Sequence, residues 1–238
     1  MQLVNNLHNL FSQLPKELAQ TVEKKLQPAR TYAAGTILYQ AGDVATMAYQ
    51  IVEGEVNIGN MSHDGKELVL NVMQSGDLFG EASIIDGLPR ANHAIAASEL
   101  TVKGISKKDF LELYHQYPEF CHHLLLMAYQ RFHILMNRAS DAYLLGLPNR
   151  LVRIIESLYY SRSKKSEDGQ SYIDISHEEL GAMVAASRQS TNKELKVLEQ
   201  EGLLQMRYGE IFVTDIEALS DKAKLAAGYE GITPTYLK

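Results

Sequence analysis

A chain of 238 residues with apolar and charged fractions of 45% and 22% is an ordinary globular protein of one or two domains, which excludes disordered, collagen-like and mucin-like chains. Its single cysteine, Cys121, excludes an intramolecular disulfide, an all-cysteine zinc site and a four-thiolate iron–sulfur cluster, and fits a reducing cytosol. A net charge of −6 argues against coating nucleic acid or anionic membrane by bulk electrostatics, while leaving a local basic face open.

Met1 to Phe11 lacks a positive n-region and an apolar core, and no apolar run is long enough to span a membrane, so a cytoplasmic protein is expected. Leu3, Leu7, Leu10, Leu14, Leu18, Val22 and Leu26 recur at helical spacing and predict two short helices parted near Pro15. From about Tyr32 to Ile105 the texture changes to short alternating runs, with Leu68, Leu70 and Val72 set against Glu67, Val69 and Asn71. Frequent glycines punctuate them, and His63-Asp64-Gly65-Lys66 suits a hairpin tip, so a compact all-β roll is predicted.

Helical spacing returns from Lys107 to about Leu145, with a long helix opening at Pro118. It carries two neighbouring heptad stripes: Leu125, Tyr129, Phe132, Met136, Ala139 and Tyr143, beside Leu124, Ala128, Arg131, Leu135, Arg138, Ala142 and Leu145. One face packed on the roll accounts for one stripe, and a seam with a second copy accounts for the other. Gly146-Leu147-Pro148-Asn149 marks a break and candidate hinge. Beyond it the pattern predicts a helix over Arg150–Tyr160, a polar loop over Ser161–Gln170, helices near Ser176–Ala185 and Ser187–Glu201, and strands near Leu203–Met206 and Ile211–Thr214. A short helix over Ala218–Ala227 and a loose tail follow.

Ser176-His177-Glu178-Glu179 suits a capping box, and the small residues Val184-Ala185-Ala186-Ser187 allow two helices to cross closely. The second helix presents Arg188, Gln189, Asn192, Lys193 and Lys196, with Leu195, Val197 and Leu198 expected toward its core. Arginine and glutamine pair with guanine and adenine edges in the major groove; taken alone, the face also suits a solvated amphipathic helix. ISHEELGAMVAASRQSTNKELKVLEQEGLL, followed by RYGEIFV, resembles the winged helix-turn-helix of the catabolite activator protein/FNR family of bacterial transcription regulators. The resemblance implies base contacts from Arg188, Gln189 and Lys193 and phosphate contacts from Ser176, Ser187 and Ser190. The family's namesake has Glu and Arg where this chain has Gln189 and Lys193, so a different operator is expected.

Gly76 to Ala91 joins a glycine turn, a short helical turn and an arginine nine residues after a glutamate. Arginine suits exocyclic phosphate oxygens, and a carboxylate suits a ribose 2′-hydroxyl. The segment resembles the phosphate-binding cassette of cyclic-nucleotide-binding domains, and GTILYQAGDVATMAYQIVEGEVNI upstream extends the resemblance. It implies that Gly80 and Glu81 hold the ribose and Arg90 the phosphate, with Ala91 beside them and Arg131 approaching from the long helix. Leu135 and Met136 stand where the namesake recognises adenine through a Thr-Ser pair, and neither can make those bonds. Three readings stay open: a cyclic nucleotide such as cAMP, another ligand, or a structural corner with Glu81 and Arg90 paired to each other. His115, Cys121, His122 and His123 do not suggest a metal site, and no enzyme motif is present.

The expected architecture is α+β: an N-terminal β-roll (double-stranded β-helix) over 1–118, a long dimerisation helix and hinge over 119–146, and a C-terminal winged helix-turn-helix with tail over 147–238. The expected function is that of a homodimeric regulator reading a near-palindromic operator in double-stranded DNA, with RNA polymerase as a further partner and no membrane. An effector-independent regulator and a nucleotide sensor without DNA binding remain the alternatives.

Overall fold

The computed structural model describes residues 10–61, 67–207 and 209–227, and the chain divides between Ile134 and Leu135 into two compact units. Leu3, Leu7, the His63–Lys66 tip and the tail beyond 227 lie outside the described residues.

In the first unit, α1 (Leu10–Gln13) and α2 (Lys16–Glu23) are parted at Pro15, which has no N–H to donate and sits at φ −52° as the cap of α2. The strands follow: β1 (Arg30–Tyr32), β2 (Ile37–Tyr39), β3 (Met47–Glu53), β4 (Val56–Met61), β5 (Glu67–Met73) and β6 (Leu78–Phe79). A single turn, α3 (Ala82–Ile85), precedes β7 (His93–Ala96) and β8 (Leu100–Ser106). They form two antiparallel sheets, ordered β1-β8-β3-β6 and β2-β7-β4-β5. Ile51, Val56, Met73, Phe79, Ala94, Leu100 and Val102, drawn from both sheets, share one core, which makes the expected β-roll.

Strand β5 buries Val69 and Met73 and leaves Leu68 exposed, the opposite of the face suggested by Leu68, Leu70 and Val72. Both alternating sets contain apolar residues, so periodicity alone does not choose between them; the ladder with β4 pairs Ile58 with Asn71 and Gly59 with Val69, which leaves Leu70 of β5 as the extra residue.

Helix α4 (Lys107–Gln116) starts at Ser106, whose hydroxyl accepts from the Asp109 N–H at 3.1 Å. Helix α5 (Pro118–Leu144) is continuous over 27 residues. Phe120, Leu124 and Met127 lie on one face of it and join α1, α2 and α4 in a second core. Leu125, Tyr129, Phe132, Met136 and Tyr143 are each at least half exposed, so the first heptad stripe does not serve this chain's own core.

In the second unit, α6 (Leu147–Arg162) begins directly after Gly146, with Pro148 in its first turn. The break is therefore shorter than predicted, because Leu147–Asn149 belong to the helix. The predicted polar loop contains β9 (Lys164–Lys165), which pairs with β10 (Ser171–Asp174), a strand with no signal in the polar run before it. Helices α7 (His177–Met183) and α8 (Arg188–Gln200) follow, then β11 (Leu204–Arg207), β12 (Glu210–Val213) and α9 (Ile216–Ala227). The sheet order β11-β12-β10-β9 places the wing strands beside β10. Among the described residues, no helix is long and apolar enough to cross a membrane.

Candidate functional site

The cassette brings Gly80, Glu81, Arg90 and Arg131 together in one corner of the first unit. Gly80 sits at φ +78°, where only glycine is comfortable, and a Cβ there would meet Arg90 Nη1 at 3.1 Å. Arg90 is buried; its Nη1 donates to the Gly80 carbonyl and its Nη2 to the Met47 carbonyl. Its backbone is pinned too, since Arg90 N donates to Asp43 O at 2.9 Å and Gly42 N donates to Arg90 O at 2.8 Å. Glu81 is also buried, and its partner is Arg131: Nη1 to Oε1 is 2.6 Å, while Arg131 Nη2 donates to the Leu78 carbonyl. The suggested Glu81–Arg90 pair is therefore not formed. Arg90 is drawn to carbonyls instead, and α5 supplies the cation for Glu81 from 50 residues further along the chain.

Three polar atoms in this corner, Glu81 Oε2, Arg90 Nε and Arg131 Nε, are buried without a hydrogen-bond partner among the described residues. Unpartnered buried polar atoms cost free energy, and this set is chemically complementary to an anion together with a hydroxyl donor. Beside it, Tyr39, Tyr49 and Phe79 form an aromatic cluster, with the Arg90 guanidinium carbon 4.2 Å from the Tyr39 ring centre. Burial pushes the Tyr39 phenol far above its usual pKa and that of Tyr49 up as well, so both stay neutral. Tyr39 escapes sequence reasoning because nothing in its local pattern marks it as the neighbour of an arginine 51 positions away. Ala91 is exposed. Leu135 and Met136 lie on the exposed face of α5, in the other unit's share of that helix.

In the second unit, Ser176 caps α7, accepting from Glu179 N at 3.1 Å, and Ser187 caps α8, accepting from Ser190 N at 3.2 Å. The turn between them is tight: a Cβ on Gly181 would stand 2.8 Å from the Ala186 carbonyl oxygen and 3.0 Å from Thr191 Oγ1. Ala185 adopts φ +52°, the left-handed geometry this turn needs. Arg150 Nη2 donates to Val184 O at 3.2 Å and Nη1 to Leu145 O at 3.0 Å, tying the turn to the start of α6.

Arg188, Gln189, Ser190, Lys193 and Lys196 are exposed on α8, and Gln189, Ser190, Asn192, Lys193 and Lys196 line a shallow recess. Thr191, Leu195 and Leu198 form the buried side. Val197 does not join them and is exposed, because it lies one position, about 100° of helix, away from Leu198. Burial and the nearby Arg188 charge lower the pKa of His177. The wing is pinned to α8 by Met206 N, which donates to Glu199 Oε1 at 2.9 Å, and Arg207 stacks on Phe212 at 4.4 Å. Among the described residues, no cluster of His, Cys, Asp or Glu is arranged for a metal ion.

A cyclic nucleotide-binding domain family matches residues 29–117, and a Crp-like helix-turn-helix domain family matches residues 149–222. The CRP-like cAMP-activated global transcriptional regulator of Mycobacterium tuberculosis is 26% identical over 217 residues, which cover 90% of this chain and 96% of that protein. A solved CRP-family transcriptional regulator of Thermus thermophilus is 25% identical with a TM-score of 0.70, covering 82% of this chain and 96% of that one. The c-di-GMP responsive global regulator CLP of Xanthomonas campestris shares the fold, with a TM-score of 0.72 at 24% identity over 84% of this chain and 100% of its own. With a β-roll of the nucleotide-binding type followed by a winged helix-turn-helix, and both domain families matched in that order, the chain belongs to the CRP/FNR family of DNA-binding transcription regulators.

Proposed function

We propose that this regulator works as a homodimer controlled by a cyclic nucleotide, cAMP in the first instance, bound in the cassette corner. In this reading residues 1–118 sense, 119–146 dimerise and 147–238 bind DNA. The observation that carries it is the set of buried, unpartnered atoms on Glu81, Arg90 and Arg131. Gly80 lets the ribose approach the backbone, Glu81 Oε2 accepts its 2′-hydroxyl, Arg90 faces the phosphate beside Ala91, and Arg131 ties Glu81 to α5. The nucleotide supplies one negative charge and a hydroxyl donor to this corner. Leu135 and Met136 offer only apolar contact, so the base contributes little to discrimination.

The exposed stripe Leu125, Tyr129, Phe132 and Met136 supports a seam with a second copy. Effector and DNA are coupled only as far as the effector binds two settings of the chain with different affinity. Two copies of α8 spaced one DNA turn apart, about 34 Å, would read a near-palindromic operator. Arg188, Gln189 and Lys193 contact base edges. The capping serines contact phosphates: Ser176 Oγ already accepts from the backbone, so its hydroxyl proton is free to turn outward. Ser187 and Ser190 oxygens lie 3.0 Å apart, so one donates to the other and the second donates to phosphate. RNA polymerase is the further partner, and the cytoplasm is the setting.

Calorimetric titration of the full chain with cAMP, cGMP and c-di-GMP tests the effector. Heat with cAMP or cGMP that vanishes in Glu81→Gln supports the reading. If none binds while the protein still retards promoter DNA, the roll is a scaffold and the effector-independent regulator is correct.

A further inference from the structure

Arg90 is held on three sides before any anion reaches it. Its two Nη atoms donate to the carbonyls of Gly80 and Met47, and the guanidinium lies over the Tyr39 ring, with 4.2 Å between the guanidinium carbon and the ring centre. Tyr39 in turn has little freedom. Its ring stands 6.2 Å from Phe79 and 6.5 Å from Tyr49, which themselves stack at 5.3 Å, and its Cε1 lies 3.4 Å from where a Cβ of Gly80 would be. The ring belongs to β2, and the connection leaving β2 is the one that pairs with the Arg90 backbone through Gly42 and Asp43.

A flexible arginine that must be ordered on binding spends part of its interaction energy on lost rotamer freedom, whereas an arginine already seated does not. A buried aromatic face under a guanidinium supplies such a seat through the ring quadrupole, and the benefit grows where water is excluded. We propose that Tyr39 is a positioning residue: its ring is the pedestal that keeps Arg90 oriented toward the phosphate site. This inference rests on the cyclic-nucleotide reading above. The ring does the positioning, and the hydroxyl is dispensable for it.

Two measurements on the full-length protein test this. The first needs no ligand: the Arg90 Nε–Hε resonance, assigned by its absence from Arg90→Lys, should be displaced by the Tyr39 ring current, displaced equally in Tyr39→Phe, and near its ordinary position in Tyr39→Leu. The second compares cAMP with adenosine, which lacks the phosphate. Tyr39→Leu should weaken cAMP about tenfold and adenosine less than about twofold, while Tyr39→Phe should stay within about twofold of wild type for both. An undisplaced Arg90 signal in the wild type overturns the pedestal. Equal weakening of cAMP and adenosine overturns it too, since that is the mark of a merely structural ring, as does a loss of cAMP affinity in Tyr39→Phe. If Tyr39→Leu fails to fold, the wild-type and Tyr39→Phe signals still decide. A displaced signal in a protein that binds no cyclic nucleotide would leave the packing intact but remove the phosphate-positioning role together with the effector reading, so the two failures are distinct.

Discussion

In the cassette corner Glu81 and Arg90 are buried, Arg131 is partly buried, and all three already hold protein partners, whereas on α8 Arg188, Gln189, Lys193 and Lys196 stand in solvent. Both regions take a phosphate-bearing molecule in the proposed function, yet they handle charge in opposite ways. A charge withdrawn from water must be compensated at all times, with or without a ligand, so the corner's functional groups also hold the roll together. The α8 cations remain hydrated and contribute nothing to the fold until DNA arrives; their binding should be strongly salt-dependent. This also reconciles the reading of DNA with a C-terminal part, from residue 144 onward, that has 12 Lys and Arg against 14 Asp and Glu. Placement on one helix face, not net charge, supplies the basic surface.

The largest expected effect tests whether the corner is structural as well as receptive. Arg131→Met leaves the buried Glu81 carboxylate without its cation and should destabilise the roll by about 3–5 kcal/mol, measured as the shift in urea midpoint of its unfolding transition. Glu81→Gln combined with Arg131→Met removes both charges and should recover most of that loss. If the single variant were as stable as the double, the pair would be ornamental and the contrast with α8 would dissolve.

The matching test on α8 should give the opposite pattern. Arg188→Ala should leave the urea midpoint unchanged, because the side chain is exposed, and cost about 1–3 kcal/mol of operator affinity concentrated at one base step. Fluorescence anisotropy against a set of single-base operator variants reads this directly. A uniform loss across all variants would reassign Arg188 to the phosphates.

The two regions are also unequally legible in the sequence. Gly76 to Ala91 stands out because a glycine at positive φ, a glutamate and a returning arginine are tied to one another by local geometry. Helices α7 and α8 stand out through their serine caps and small-residue turn. What stays hidden is the choice of partner. Glu81 could as readily have met Arg90, and only the long-range packing of α5 brings Arg131 to it; the approach of Tyr39 to Arg90 is equally non-local. Strand β10 is hidden for a related reason: Ser171–Asp174 is too short to carry a period, and it becomes a strand because β12 pairs with it. The buried face of β5 is hidden as well, because both of its alternating sets carry apolar residues and only packing in the sheet selects Val69 and Met73.

A second buried carboxylate sharpens the comparison, with the smallest expected effect of the three tests. Glu156 on α6 is buried like Glu81, but among the described residues it forms no ion pair, and Arg153 is engaged with Asp141 at 2.6 Å. Burial raises the pKa of Glu156, opposed by a hydrogen bond with Ser220 and by the more distant charges of Arg153 and Lys224. The folded state therefore holds this proton more tightly than the unfolded state. Below the unfolded carboxylate range both states are protonated and the group is neutral in its effect. As pH rises through that range the unfolded state ionises first, so stability falls until the folded pKa is passed and is constant above it. Glu156→Gln keeps a hydrogen-bonding partner for Ser220 and removes the titration. It should match wild type near pH 4 and have the higher urea midpoint of the two at pH 8. Glu81→Gln should do the reverse at pH 8, because there the substitution strands Arg131. Identical signs for the two substitutions would mean that burial alone governs these carboxylates and that the Arg131 partnership is energetically silent.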